Sequence, residues 1–121
     1  MEINLIHAKN TSNKYTIKIP SLGLGVWGIP KNKTEKIVTK AINNGYKHID
    51  TAQIYGNERE VGKAIKDKKG IFITTKVWEN NFGYEKTIKS CEESLSKLNK
   101  IDLLLMHSPH GPEIRKETWE A

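Results

Sequence analysis

Four short apolar runs alternate with helical patterns along this chain, and that alternation constrains the fold more than any other feature. The strand-like runs fall at residues 22–28, 46–49, 71–75 and 101–106, and the helical patterns at 32–44, 57–66 and 84–98. A connection long enough to hold a helix joins strands that run parallel, whereas an antiparallel pair needs only a tight turn. The pattern predicts an α/β fold with a parallel sheet and helices packed outside it. Ahead of it, residues 3–9 and 15–19 read as a hairpin around Asn10, Thr11, Ser12 and Asn13, closed by Pro20, which has no N–H for a ladder.

Each helix carries local signals. Asn32 with Glu35 three residues on reads as a capping pair, Ile37, Val38, Ala41 and Ile42 form an apolar stripe, and Gly45 stops the helix. The second helix, from Asn57 to about Lys66, places Val61, Ala64 and Ile65 inward, and Gly70 breaks it. The third carries Tyr84, Ile88, Cys91, Leu95 and Leu98 at helical spacing, which predicts one buried face. On that face Cys91 is a small core residue and not a nucleophile.

Polar residues fall where these elements change over. Asp50, Lys76 and His107 each close an apolar strand, and Tyr55 lies on the loop after Asp50. Adjacent strands are about 4.8 Å apart, so groups at equivalent strand ends converge on one site, at the edge where parallel α/β folds do chemistry. A phenol is a reluctant acid at neutral pH, and a neighbouring ammonium that stabilises phenolate makes it a better one. Lys76 is placed to be that ammonium, with Asp50 holding its charge, while His107 can orient a carbonyl oxygen beside Tyr55. Protonation of a carbonyl oxygen accompanies hydride delivery, which side chains cannot perform, so a nicotinamide cofactor is implied.

Other chemistries fit less well. His107 and His110 have no third ligand at a useful spacing, so no metal site is expected. Gly23, Gly25 and Gly28 match the spacing of a dinucleotide fingerprint, but Pro30 follows where a helix should open. The net charge of +6 comes from lysines scattered among glutamates, without a basic block, which argues against nucleic acid. The longest apolar run is too short to cross a membrane, and Glu2 and His7 stand where a signal peptide would be apolar. A single cysteine agrees with a reducing compartment, and a cytoplasmic location is expected.

GYKHIDTAQIYGNEREVG, then ITTKVW, then LLLMHSP, preceded by LGLGVWGIP, resemble the successive signatures of the aldo-keto reductase family in content, order and spacing. The resemblance covers nearly the whole chain and is nearest to small reductases of the diketogluconate and methylglyoxal sort. Lys47 stands where arginine is more usual in that family, and Ser108 where many members have tryptophan. The resemblance implies Tyr55 as proton donor, Asp50 and Lys76 as its supporting pair, and His107 as the group that orients the carbonyl. It implies Trp27 and Trp78 at the substrate pocket, and Gly25, Val26, Trp27 and Asp50 beside the nicotinamide of NADPH, with NADH not excluded. The expected activity is reduction of an aldehyde or ketone to an alcohol.

The family fold is a (β/α)8 barrel of about 250 residues, and at 121 residues this chain is expected to supply its amino-terminal half. Residues 1–121 would form a partial barrel domain, with the hairpin at 3–19 and β/α units from residue 22, ending in the fourth helix. Most of the cofactor site lies in the later strands, which marks the chain as a fragment or a truncated product. Open barrel edges and an apolar inner face would favour self-association. The alternative to a reductase is a non-catalytic pseudoenzyme or self-associating module.

Overall fold

A computed structural model of the protein describes residues 2–5 and 15–121. Strands β1 (Glu2–Leu5) and β2 (Tyr15–Lys18) pair antiparallel, with Leu5 opposite Tyr15. This is the expected hairpin. The expected continuation of its first strand through residues 6–9 lies outside the described residues.

The second sheet holds β3 (Leu24–Gly25), β4 (His48–Asp50), β5 (Phe72–Val77) and β6 (Leu103–Met106), all parallel and in sequential order. Helices α1 (Lys31–Asn43), α2 (Glu58–Ile65), α3 (Tyr84–Leu98) and α4 (Pro112–Glu120) follow the four strands in turn. Parallel neighbours in chain order are the arrangement of a barrel wall, so the expected β/α units are present.

Several boundaries differ from the sequence reading. α1 starts at Lys31 with Pro30 as its cap, and Asn32 sits inside the first turn. Proline already holds a backbone angle suited to that position, with φ of −56°, and the Thr34 hydroxyl donates to the Pro30 carbonyl at 3.0 Å. Ile37 is exposed; the buried positions of α1 are Thr34, Val38 and Ile42. Gly45 ends the helix as expected, with φ of +96° and its N–H on the Ile42 carbonyl. β6 begins at Leu103 and not at Ile101; ahead of it Asp102 meets Ile73 twice, donating its N–H to the Ile73 carbonyl at 2.9 Å and accepting the Ile73 N–H on its carboxylate at 2.7 Å.

The largest correction concerns α3. Its ends are where the periodicity puts them, but its buried residues are Thr87, Ser90, Ser94 and Leu98, while Tyr84 and Leu95 are exposed. Ile88 and Cys91 are half-buried and line a groove that the helix shares with β6 and α4. Gly62 of α2 explains the choice of small residues: a Cβ there would stand 1.9 Å from the Lys97 carbonyl oxygen, so the two helices touch backbone to backbone. Only short side chains fit beside so close a contact.

The core lies between helices and sheet, with Val38, Ile49, Val61, Ile65, Ile73 and Leu98 all at most 4 % exposed. Burying each such aliphatic side chain contributes about 1.5–3 kcal/mol. Alternation along the strands sends Ile49, Ile73, Thr75 and Val77 to this side. The opposite face carries His48, Asp50, Phe72, Thr74 and Lys76, joined by the edge-to-face contact of His48 with Phe72, by His48 Nε2 with Thr74 Oγ1 at 2.9 Å and by Lys76 with Asp50. The inner face expected to be apolar is therefore substantially polar on β4 and β5. Lys76 lies within β5 and Asp50 is the last residue of β4, so alternation, and not simply strand ends, aims both onto that face.

Candidate active site

Four of the expected residues meet in one cluster. The Lys76 ammonium donates to Asp50 Oδ1 at 2.5 Å and to the Thr51 carbonyl at 3.0 Å. Its side chain is 16 % exposed, against 35 % for Asp50, so the pair is shielded but reached by solvent from one side. Register brings them together: Asp50 stands opposite Thr74, which puts Lys76, two residues on and facing the same way, just beyond it. Lys76 Nζ lies 5.3 Å from the centre of the Tyr55 ring, within the range at which an ammonium is drawn to an aromatic face.

Tyr55 ends a short 3₁₀ turn, Gln53–Tyr55, with its N–H on the Ala52 carbonyl at 3.1 Å. Gly56 follows in the left-handed region with φ of +68°, which lets the chain reverse at once into α2. His107 comes directly after β6, and its N–H bonds the Val77 carbonyl at 3.0 Å. Its ring meets Tyr55 edge to face with centres 5.9 Å apart, and Trp78 in the same manner at 5.0 Å. The cluster is thus a phenol flanked by an ammonium and an imidazole. Of the two His107 ring nitrogens, Nδ1 is buried without a hydrogen-bond partner among the described residues.

The segment at 25–27 divides into parts. The Val26 N–H bonds the Asp50 carbonyl at 3.0 Å and its side chain is fully buried in the core, so the side chain of Val26 faces away from any ligand. A Cβ at Gly25 would meet nothing within 4 Å, and Trp27 is 78 % exposed. The open surface beside Asp50 is therefore Gly25 backbone and the Trp27 ring. Trp27 takes no part in the ring contacts that join Tyr55, His107 and Trp78.

Three supporting polar residues escaped the sequence reading. Asn57 is 1 % exposed; its Oδ1 accepts from Thr51 Oγ1 at 2.8 Å and its Nδ2 donates to the Val26 carbonyl at 3.0 Å, tying the 25–27 segment to the strand that carries Asp50. Glu58 is 2 % exposed and accepts from Thr75 Oγ1 at 2.6 Å and Ser94 Oγ at 3.2 Å, joining α2, β5 and α3. Gln53 bridges the Tyr55 turn to the loop at Trp78. All three sit in the short stretch from the end of β4 to the first residue of α2, where a run of amide and acid side chains so close to a catalytic candidate was the available signal.

Among the described residues no group of His, Cys, Asp and Glu is arranged to hold a metal ion. Burial pushes the Cys91 thiol above its ordinary value, with nearby Glu58 adding to the effect and a Ser90 hydrogen bond opposing it. A thiol held protonated is a poor nucleophile, in keeping with a packing role. No helix among the described residues is long and apolar enough to cross a membrane.

The family model for the aldo/keto reductase family matches residues 21–121. The chain is 43 % identical over 124 residues to the glyoxal reductase of Bacillus subtilis, covering 92 % of this chain and 45 % of that protein. It is similar to the crystal structure of an aldo/keto reductase from Brucella melitensis, with a TM-score of 0.82 and 42 % identity, over 100 % of this chain and 47 % of that one. It is similar also to a mutant of Gox0644 in complex with NADPH, with a TM-score of 0.83 and 37 % identity, over 100 % of this chain and 43 % of that one. The chain spans less than half the length of these relatives and corresponds to the amino-terminal half of their (β/α)8 barrel. By the match of that model across four β/α units and the site they carry, the chain belongs to the aldo/keto reductase family.

Proposed function

We propose that this chain supplies the proton-transfer machinery for NADPH-dependent reduction of an aldehyde or ketone to an alcohol. The observation that carries the reading is the Asp50–Lys76 pair beneath Tyr55, with Lys76 Nζ 5.3 Å from the ring centre. In this reading His107 Nε2 donates a hydrogen bond to the carbonyl oxygen and fixes it next to the Tyr55 hydroxyl. Tyr55 gives up its proton to that oxygen as the carbon becomes tetrahedral. The Lys76 ammonium stabilises the phenolate left behind, and solvent restores the proton. Asp50 holds the Lys76 ammonium in place beside the ring.

A nicotinamide supplies the hydride when bound. The open backbone at Gly25, the exposed Trp27 ring and the Asp50 carboxylate form a surface that fits it. The NADPH complex of a similar protein supports NADPH as the cofactor, with NADH as the alternative. The remaining cofactor contacts belong to strands beyond these four, residues 1–121 being the first part of a single barrel domain. Trp78, packed on His107, borders the substrate side. A cytoplasmic location and a small carbonyl substrate, with neither nucleic acid nor membrane as partner, complete the reading.

The test splices residues 1–121 in place of the matching segment of the Bacillus subtilis glyoxal reductase and follows NADPH oxidation with a small aldehyde. Tyr55→Phe should lower kcat about a hundredfold or more while NADPH affinity stays nearly constant, because only the acid is removed. Retention of most of the activity would overturn the role of Tyr55. A second reading, a self-associating and non-catalytic module, is favoured by the apolar groove of about 560 Å³ between α3, β6 and α4 and by the outer edge of β6, which pairs with no other strand among the described residues. Light scattering of the 121-residue chain decides it: a monodisperse monomer would exclude that reading.

A further inference from the structure

One side chain that faces no substrate joins the two loops on which Tyr55 and Trp78 sit. The Gln53 carboxamide makes four hydrogen bonds, the full capacity of the group. Its Oε1 accepts from the Trp78 backbone N–H and from Asn81 Nδ2, both at 2.8 Å. Its Nε2 donates to the Ser90 carbonyl at 3.3 Å and to Ser94 Oγ at 3.2 Å, on α3. Gln53 opens the same three-residue turn that Tyr55 closes, and its own carbonyl accepts the Gly56 N–H at 3.3 Å. A shift of the Gln53 side chain therefore moves the Trp78 loop relative to the Tyr55 turn.

The rings make that relation matter. Trp78 packs edge to face on His107, and His107 on Tyr55, so the place of the Trp78 backbone helps to set the imidazole against the phenol. The same loop is tied onward, since the Ser108 hydroxyl donates to the Glu79 carboxylate. Asn81, which donates to Gln53, also accepts from Thr87 Oγ1 at 3.0 Å through its carbonyl. The loop after β5 is thus held on three sides, and Gln53 is the tie that reaches the turn bearing the proton donor.

We propose that Gln53 is a positioning residue for carbonyl reduction, setting the Tyr55 hydroxyl against His107 through the Trp78 loop. This rests on the reading of the site given above. Its four hydrogen bonds go to the Trp78 loop and α3, and none to the Lys76–Asp50 pair or to Gly25 and Trp27, so it acts on geometry at the carbonyl and not on the charge at the phenol or the hold on the cofactor.

The glyoxal reductase splice tests this with two variants. Gln53→Met keeps the length of the side chain and removes all four bonds; a displacement on the order of 1 Å at the reacting groups costs up to about a hundredfold, so kcat/KM for the aldehyde should fall about tenfold. NADPH affinity and the pH profile should stay as they were. Gln53→Glu keeps an oxygen for the Trp78 N–H but turns an acceptor toward the Ser90 carbonyl, so it should recover only part of the lost rate, and a rate no better than that of Gln53→Met would overturn the tie to Trp78. Amide exchange, read in the 121-residue chain and in the splice, should quicken at Trp78 in Gln53→Met while the Ile73 amide, held by Asp102, stays slow. A kcat/KM within twofold of the parent would overturn the proposal, as would exchange that quickens equally across β5 and α3, the mark of a general structural tie. If Tyr55→Phe keeps its activity, carbonyl reduction by this site is what fails, and exchange at Trp78 still reports whether Gln53 holds the loop.

Discussion

Helices α2 and α3 lie side by side, and they differ in how far their buried residues follow their apolar spacing. α2 turns Val61, Ala64 and Ile65 into the core in the way its apolar spacing predicts, together with Glu58. α3 buries Thr87, Ser90 and Ser94 and leaves its apolar stripe of Ile88, Cys91 and Leu95 toward the groove beside β6 and α4. The difference follows from what each helix meets. α2 covers the aliphatic outer face of the sheet, whereas α3 meets the Gly62 backbone contact and the buried polar ends of Gln53 and Glu58, which need hydroxyls as partners.

The contact that forces small residues on α3 gives the largest expected effect. Gly62→Ala places a Cβ 1.9 Å from a backbone oxygen that no side-chain rotation can clear. It should cost about 3 kcal/mol or more, seen as a lower urea midpoint in the splice. A loss below about 1 kcal/mol would mean that the helices do not approach so closely.

Removing the polar partner comes next. Glu58→Ala takes the acceptor from the buried Thr75 and Ser94 hydroxyls, Ser94 keeping only the bond it receives from Gln53, and an unsatisfied buried polar group costs about 1–3 kcal/mol. A loss of about 2–3 kcal/mol in the same unfolding experiment is expected. Stability unchanged by Glu58→Ala would show that the hydroxyls on α3 serve only as small fillers.

The smallest effect belongs to the other face of α3. Leu95 is 49 % exposed, so Leu95→Ser in the 121-residue chain should change stability by no more than about 0.5 kcal/mol. A cost above about 1.5 kcal/mol, falling with dilution, would show that the groove face is covered by a second copy.

The spacing of apolar residues was enough to locate the four parallel strands and the three helices that follow the first three, because periodicity of two and of about 3.6 is written directly in the chain. It also brought Asp50, Tyr55, Lys76 and His107 to one edge. It misplaced Lys76 as a residue after its strand, since strand ends depend on pairing with β4 and β6 and not on composition. It could not foresee that the Val26 side chain turns into the core while its carbonyl accepts from Asn57.

What the sequence determined by itself was the order of elements and the set of groups at their ends. Which face of α3 is buried, and the roles of Gln53, Asn57 and Glu58, were decided by tertiary structure alone. The physical reason is that apolar periodicity identifies a face by its own solubility, whereas a polar side chain is buried only where partners from elsewhere in the chain complete its hydrogen bonds. For Gln53 those partners are Trp78, Asn81, Ser90 and Ser94, and nothing within its own turn announces them.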